Sequence, residues 1–133
     1  MILCDSSIWI RYFRKSKEPI VEAFVKLLLN DEVCINEYVY IEILQGCRNE
    51  EQFLSLKKFL RSIPMFERKG LETVEKAITI YRTCSAKSPR ISKTIDTLIA
   101  ATALENNLEL FHLDKEFDVI AEYFPLKIYK WKK

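Results

Sequence analysis

Four acidic residues stand where a folding chain would ordinarily place apolar ones. Asp5 closes the short apolar run Ile2-Leu3-Cys4, and Glu42 lies with Val39 and Ile43 on the inward face of a helical pattern. Asp96 shares a helix face with Ile99, Ala100 and Ala103, and Asp114 follows the apolar run at 108–111 and opens the next helix. Taken singly, each has an ordinary explanation. Asp5 can cap its own helix, Asp114 can be an N-cap, and Asp96 can complement a helix dipole. Glu42 can form a surface ion pair at the edge of its helix. Taken together, two acids fall at strand ends and two on sheet-facing sides of helices, so one end of a sheet can gather all four. Burying several like charges is costly unless a cation joins them. Oxygen-only ligands with no His or Cys beside them select a hard cation, Mg²⁺ or Mn²⁺. Such a cluster activates water and clamps a phosphodiester for in-line attack.

Strands and helices alternate around these acids. Ile2-Leu3-Cys4 and Val33-Cys34-Ile35 show no polar alternation, as expected of strands buried on both faces of a parallel sheet. Ser7 can cap a first helix carrying Ile8, Trp9, Tyr12 and Phe13, whose aromatics suit a core or a partner-facing surface. Pro19 suits the first position of a second helix with Ile20, Phe24, Leu27 and Leu28 inward. A third helix begins near Glu37 and stops at Gly46, and Asn49 with Gln52 resembles a capping box for a fourth. Met65-Phe66 reads as a minor edge strand. Leu71, Val74, Ile78 and Tyr81 mark a fifth helix, broken by Ser88-Pro89. Ser92 can cap the helix of Asp96, and a strand at 108–111, a helix at 115–123 and a strand at 126–129 complete the chain. This alternation implies a parallel sheet covered on both faces by right-handed crossovers.

The bulk properties narrow the possible functions. The chain has 133 residues, 49% of them hydrophobic and 30% charged. That suits one folded domain over 1–133 and argues against disorder. The net charge of +2 neither demands nor excludes a nucleic-acid partner. No apolar run nears the roughly 18 residues that cross a bilayer, and no basic segment precedes Asp5. A soluble protein of the cytoplasm is the expectation. Cys4, Cys34, Cys47 and Cys84 lack C-x-x-C spacing and read as reduced thiols, with Cys4 and Cys34 as small apolar strand residues. Two glycines and one histidine leave no Gly-rich phosphate loop and no multi-His zinc site.

In four blocks the chain resembles PIN-domain ribonucleases, specifically the VapC-type toxins of bacterial and archaeal toxin–antitoxin pairs. Ile2-Leu3-Cys4-Asp5-Ser6-Ser7-Ile8-Trp9-Ile10 is similar to the family's hydrophobic start, Asp-(Thr/Ser)-Ser and Val/Ile-Trp-Ile. Glu42 stands four residues before Gly46, as in the family. Asp96-Thr97-Leu98-Ile99-Ala100-Ala101 resembles Asp-x-x-Ile-Ala-Ala, and Leu110-Phe111-His112-Leu113-Asp114-Lys115-Glu116-Phe117 resembles Leu-x-Thr-x-Asp-x-(Asp/His/Glu)-Phe. The blocks span nearly the whole chain in the family's order. The resemblance implies an α/β fold, a three-layer α/β/α sandwich with a four- to five-stranded parallel sheet, PIN-like. It implies a Mg²⁺- or Mn²⁺-dependent endoribonuclease with Asp5, Glu42, Asp96 and Asp114 as the metal carboxylates. Ser7 would orient Asp5 or a water, and Glu116 would join the outer shell. It also implies a homodimer and an antitoxin whose segment covers the acidic site with an Arg or Lys among the carboxylates.

Two departures bear on that pattern. His112 stands where the family usually has Thr, and a structural or outer-shell role is favoured over catalysis. Ser88-Pro89-Arg90 replaces a Gly common before the Asp96 helix. Arg11, Arg14, Lys87, Arg90 and Lys93 are candidates to hold RNA phosphates, and Asp118 reads as surface. Two other function classes are weighed. A phosphoacceptor receiver domain needs an acidic pair after its first strand, but Ser6-Ser7 follow Asp5 and two of the acids lie on helices. A non-catalytic RNA-binding or scaffold module would keep the fold and bind RNA without turnover.

Overall fold

A computed structural model of the chain describes residues 1–87 and 94–132. The elements run β1 (Ile2–Cys4), α1 (Ser6–Phe13), α2 (Pro19–Leu29), β2 (Val33–Cys34), α3 (Glu37–Gln45) and α4 (Glu50–Leu60). They continue with α5 (Leu71–Lys87), α6 (Thr94–Glu105), β3 (Glu109–Phe111), α7 (Lys115–Tyr123) and β4 (Lys127–Ile128). The strands pair in parallel in the order β2-β1-β3-β4, with Leu3 opposite Cys34 on one side and Leu110 on the other. Strand β1 is buried at every position, so helices cover both of its faces, as a short central strand with no polar alternation requires. The expected α/β layering with a parallel sheet is the observed one. The fifth strand shrinks to a single parallel bridge between Ile35 and Met65, held by the Ile35 and Phe66 N–H groups.

Local signals explain most boundaries. Pro19 opens α2, where the missing N–H is not needed. Asn36, wholly buried, caps α3: its Oδ1 accepts from the Val39 N–H at 2.9 Å while its Nδ2 donates to Thr102 Oγ1 on α6. Asn49 caps α4 through the Gln52 N–H, and Gln52 Oε1 accepts from Arg48 N–H, one residue before the box position. Helix α6 is buried almost all round, its Ala100, Ala101 and Ala103 letting neighbouring elements approach closely.

Several local expectations are decided between or corrected. The cap of α1 is Asp5, not Ser7, whose own N–H donates to the Asp5 carboxylate. Gly46 ends α3 at φ −82°, within the ordinary right-handed region, so no left-handed glycine cap stops the helix. Helix α5 packs through Thr73, Ala77, Ile80 and Cys84, while Leu71, Ile78 and Tyr81 face solvent. Leu71, Ile78 and Tyr81 thus form a second apolar stripe that stays exposed, while Ile80 is fully buried. Trp9 is fully enclosed against Phe13, Phe24 and Phe59 and is core rather than a partner-facing surface. The break at Ser88-Pro89, the cap at Ser92, and Arg90 and Lys93 lie outside the described residues. Among the described residues no helix is long and apolar enough to cross a membrane.

Because Asn36 both caps α3 and ties it to α6, Asn36→Ala should lower stability by about 2 kcal/mol. The measurement is the urea unfolding midpoint, which should fall with the slope of the transition unchanged.

Candidate metal centre

Strand order places the site. β1 leads outward to β2, whereas β3 returns to the opposite side of β1, so the connections leaving these two central strands diverge. That reversal opens a crevice beyond their carboxyl ends. The Asp5 N–H donates to the Phe111 carbonyl at 2.9 Å, tying the two strand ends together. A cleft of about 780 Å³ opens there, and Asp5, Glu42, Asp96 and Asp114 all line it.

Each acid is held by its own element. Asp5 is 6% exposed, and its Oδ2 accepts from Ser7 Oγ at 2.9 Å. Glu42, half-buried on α3, accepts at Oε1 from Ser6 Oγ at 3.1 Å. Asp96 sits in the first turn of α6 and is 7% exposed. Asp114 caps α7, its Oδ1 accepting from the Glu116 N–H at 3.0 Å. Capping and lining the cleft are therefore compatible in one residue: both Asp5 and Asp114 do both.

The tightest grouping among the described residues is Asp96, Asp114 and Glu116, which offer carboxylate oxygens within 4.8 Å of one another. Asp5 and Glu42 reach the same cleft outside that triple. Glu116, an outer-shell candidate from the sequence, thus stands within the same 4.8 Å grouping as Asp96 and Asp114. Its Oε2 is shut away from solvent with no hydrogen-bond partner. A buried carboxylate oxygen left so is costly unless a cation meets it. Oxygen donors alone, converging from α6 and α7, fit a hard divalent ion.

Burial raises the Asp5 pKa, opposed by hydrogen bonds from the Ser7 side chain and the Ser7 and Ser6 backbone and by the nearby His112. His112 moves the other way. Burial lowers its pKa, with Asp118 and then Asp5 pulling it back up.

Sequence reasoning gave no site role to several residues of this cleft, Ser6 and Lys115 among them. Ser6 holds Glu42, and Lys115, the first residue of α7, lines the rim. The doubled serine after Asp5 was the available signal for the first; nothing in the local pattern singled out the second. Of the basic candidates, Arg11 lines the cleft, with Nε on Glu18 at 3.0 Å and Nη1 on the Ser7 carbonyl. Arg14 lines a neighbouring groove, and Lys87 sits 4.8 Å above the Tyr123 ring.

A parallel sheet whose reversal point carries a cleft walled by carboxylates defines a class of α/β domain, and comparison with known proteins specifies it. The family model for the PIN domain matches residues 2–123. Ribonuclease VapC11 of Mycobacterium tuberculosis is 31% identical over 130 residues, covering 96% of both chains. The chain belongs to the PIN-domain family, in its VapC ribonuclease branch. Solved structures share the fold. VapBC2 of Rickettsia felis, bound to a DNA fragment from its promoter, matches with TM-score 0.75 and 22% identity over 99% of this chain and 100% of that one. VapBC-1 of nontypeable Haemophilus influenzae matches with TM-score 0.73 and 24% identity, each chain wholly covered.

Asp5 carries a pH signature of known sign. A carboxyl whose folded pKa is raised stabilises the fold below its unfolded pKa, and the contribution is lost as pH rises through the folded value. Asp5→Asn should therefore raise the Tm of the metal-free protein near neutral pH, and the gain should vanish below the ordinary carboxylate range. Mn²⁺ should raise the Tm of the wild type more than that of the variant. Thermal melts across pH, with and without Mn²⁺, read both effects.

Proposed function

We propose that this chain is a Mg²⁺- or Mn²⁺-dependent endoribonuclease of the cytoplasm, the toxin of a toxin–antitoxin pair. The observation carrying this reading is the gathering of Asp5, Glu42, Asp96 and Asp114 in one cleft, with Glu116 beside the last two. These five acids would hold the metal. Bound there, it would lower the pKa of a water and offset charge developing around phosphorus.

The chain's own residues do the positioning. Ser7 fixes the Asp5 carboxylate and Ser6 fixes that of Glu42, so both keep their rotamers before substrate arrives. Capping α7 holds Asp114 in place in the same way. Arg11 and Lys115, on the walls of the cleft, grip the RNA backbone through salt-sensitive phosphate contacts. The cognate antitoxin covers this cleft and sets an Arg or Lys among the carboxylates. The outward stripe of Leu71, Ile78 and Tyr81 on α5 suits a second copy of the chain, giving a homodimer.

Asp96→Asn should lower RNA cleavage by at least about 100-fold while circular dichroism stays unchanged. Undiminished cleavage refutes the site. RNA binding that survives EDTA with no turnover in the wild type would instead favour the non-catalytic module. Expression without the antitoxin should arrest growth, whereas normal growth with confirmed soluble protein counts against the toxin reading. Ile78→Glu should shift the light-scattering mass from dimer to monomer.

A further inference from the structure

We propose that His112 is a positioning residue for Asp114, which lines the cleft, and for Glu116 grouped with it, acting through a hydrogen bond from the Asp114 N–H to its Nδ1. The inference rests on the metal-site reading above and gives that site a support the acids alone do not supply.

The Asp114 N–H lies just before the first turn of α7, where no carbonyl of that helix can receive it. Left alone in a half-buried loop, it would be a costly orphan. His112 Nδ1 accepts it at 3.0 Å. This is the side-chain to backbone closure, two residues apart, that Asx turns use. Asp114 in turn accepts at Oδ1 from the Glu116 N–H at 3.0 Å. The imidazole thus sets the backbone of Asp114, and Asp114 sets the first turn that carries Glu116.

The ring itself is locked. Its side chain is 5% exposed and packs on Phe117 with centroids 5.0 Å apart. Accepting at Nδ1 requires that nitrogen to be bare, so the ring proton sits on Nε2. Nε2 lies 3.2 Å from Asp118 Oδ1, close enough for charge to favour that tautomer, though not aligned as a hydrogen bond. Asp118 therefore has a task despite its exposed position.

The full chain has a single histidine, which makes the test unambiguous. In the metal-free wild type, ¹⁵N spectra should show His112 protonated at Nε2 and bare at Nδ1, with a coupling across the hydrogen bond to the Asp114 nitrogen. A proton on Nδ1, or no coupling, overturns the inference even if no variant folds. Mn²⁺ titration by calorimetry gives the second readout. His112→Leu, which keeps bulk but loses the acceptor, should weaken Mn²⁺ binding about tenfold or more. His112→Asn, which restores an acceptor, should stay well inside that tenfold at a similar Tm. Equal affinities for wild type and Leu, or equal losses in Leu and Asn, overturn the inference alone. A wild type that binds no Mn²⁺ overturns the nuclease reading and this inference with it, whatever the ¹⁵N spectra show.

Discussion

The hydrogen bond from the Asp5 N–H to the Phe111 carbonyl joins the ends of the two central strands at the point where strand order reverses. Everything in the cleft hangs from that junction. Asp5 is the first residue past β1, and Asp114 is the turn residue that launches α7 after β3. Pairing β1 with β3 in register therefore brings residues 109 positions apart to a common edge. Glu42 and Asp96 arrive from α3 and α6, and Asn36 fixes these two helices to each other through Thr102. Backbone pairing and one buried amide thus do the work of assembly.

Gathering carboxylates works against the fold, and the chain meets that cost with backbone dipoles. Asp5 caps α1, Asp114 caps α7, Asp96 lies in the first turn of α6, and Glu116 lies in the first turn of α7. The positive ends of three helices therefore meet the acids, each offsetting part of the charge. Desolvation still prevails at Asp5, whose pKa remains raised despite its serine hydrogen bonds. Electrostatic tension retained at a site is what gives a divalent cation its affinity there.

The two stripes of α5 show how packing can invert a sequence pattern. Leu71, Ile78 and Tyr81 have the spacing and size of a buried face, yet the helix buries Thr73, Ala77, Ile80 and Cys84 instead. The packed face carries Ala77, Cys84 and the fully buried Ile80, while the isoleucine at 78 is left half exposed. Both choices obey helical periodicity, so periodicity alone could not separate them. Packing in the folded chain did.

The amino-acid sequence by itself determined the element order and the parallel sheet and singled out the four acids that line the cleft, because unalternated strands, cap residues and misplaced carboxylates are local patterns. The helix at 115–123 and the start of α2 at Pro19 were legible for the same reason. Only the tertiary structure decided that Glu116 joins Asp96 and Asp114, that Ser6 holds Glu42, and that Asp118 faces His112. Those relations join side chains from different turns and elements. Their separations depend on strand order, helix rotation and rotamer, none of which is written in the spacing of residues along the chain.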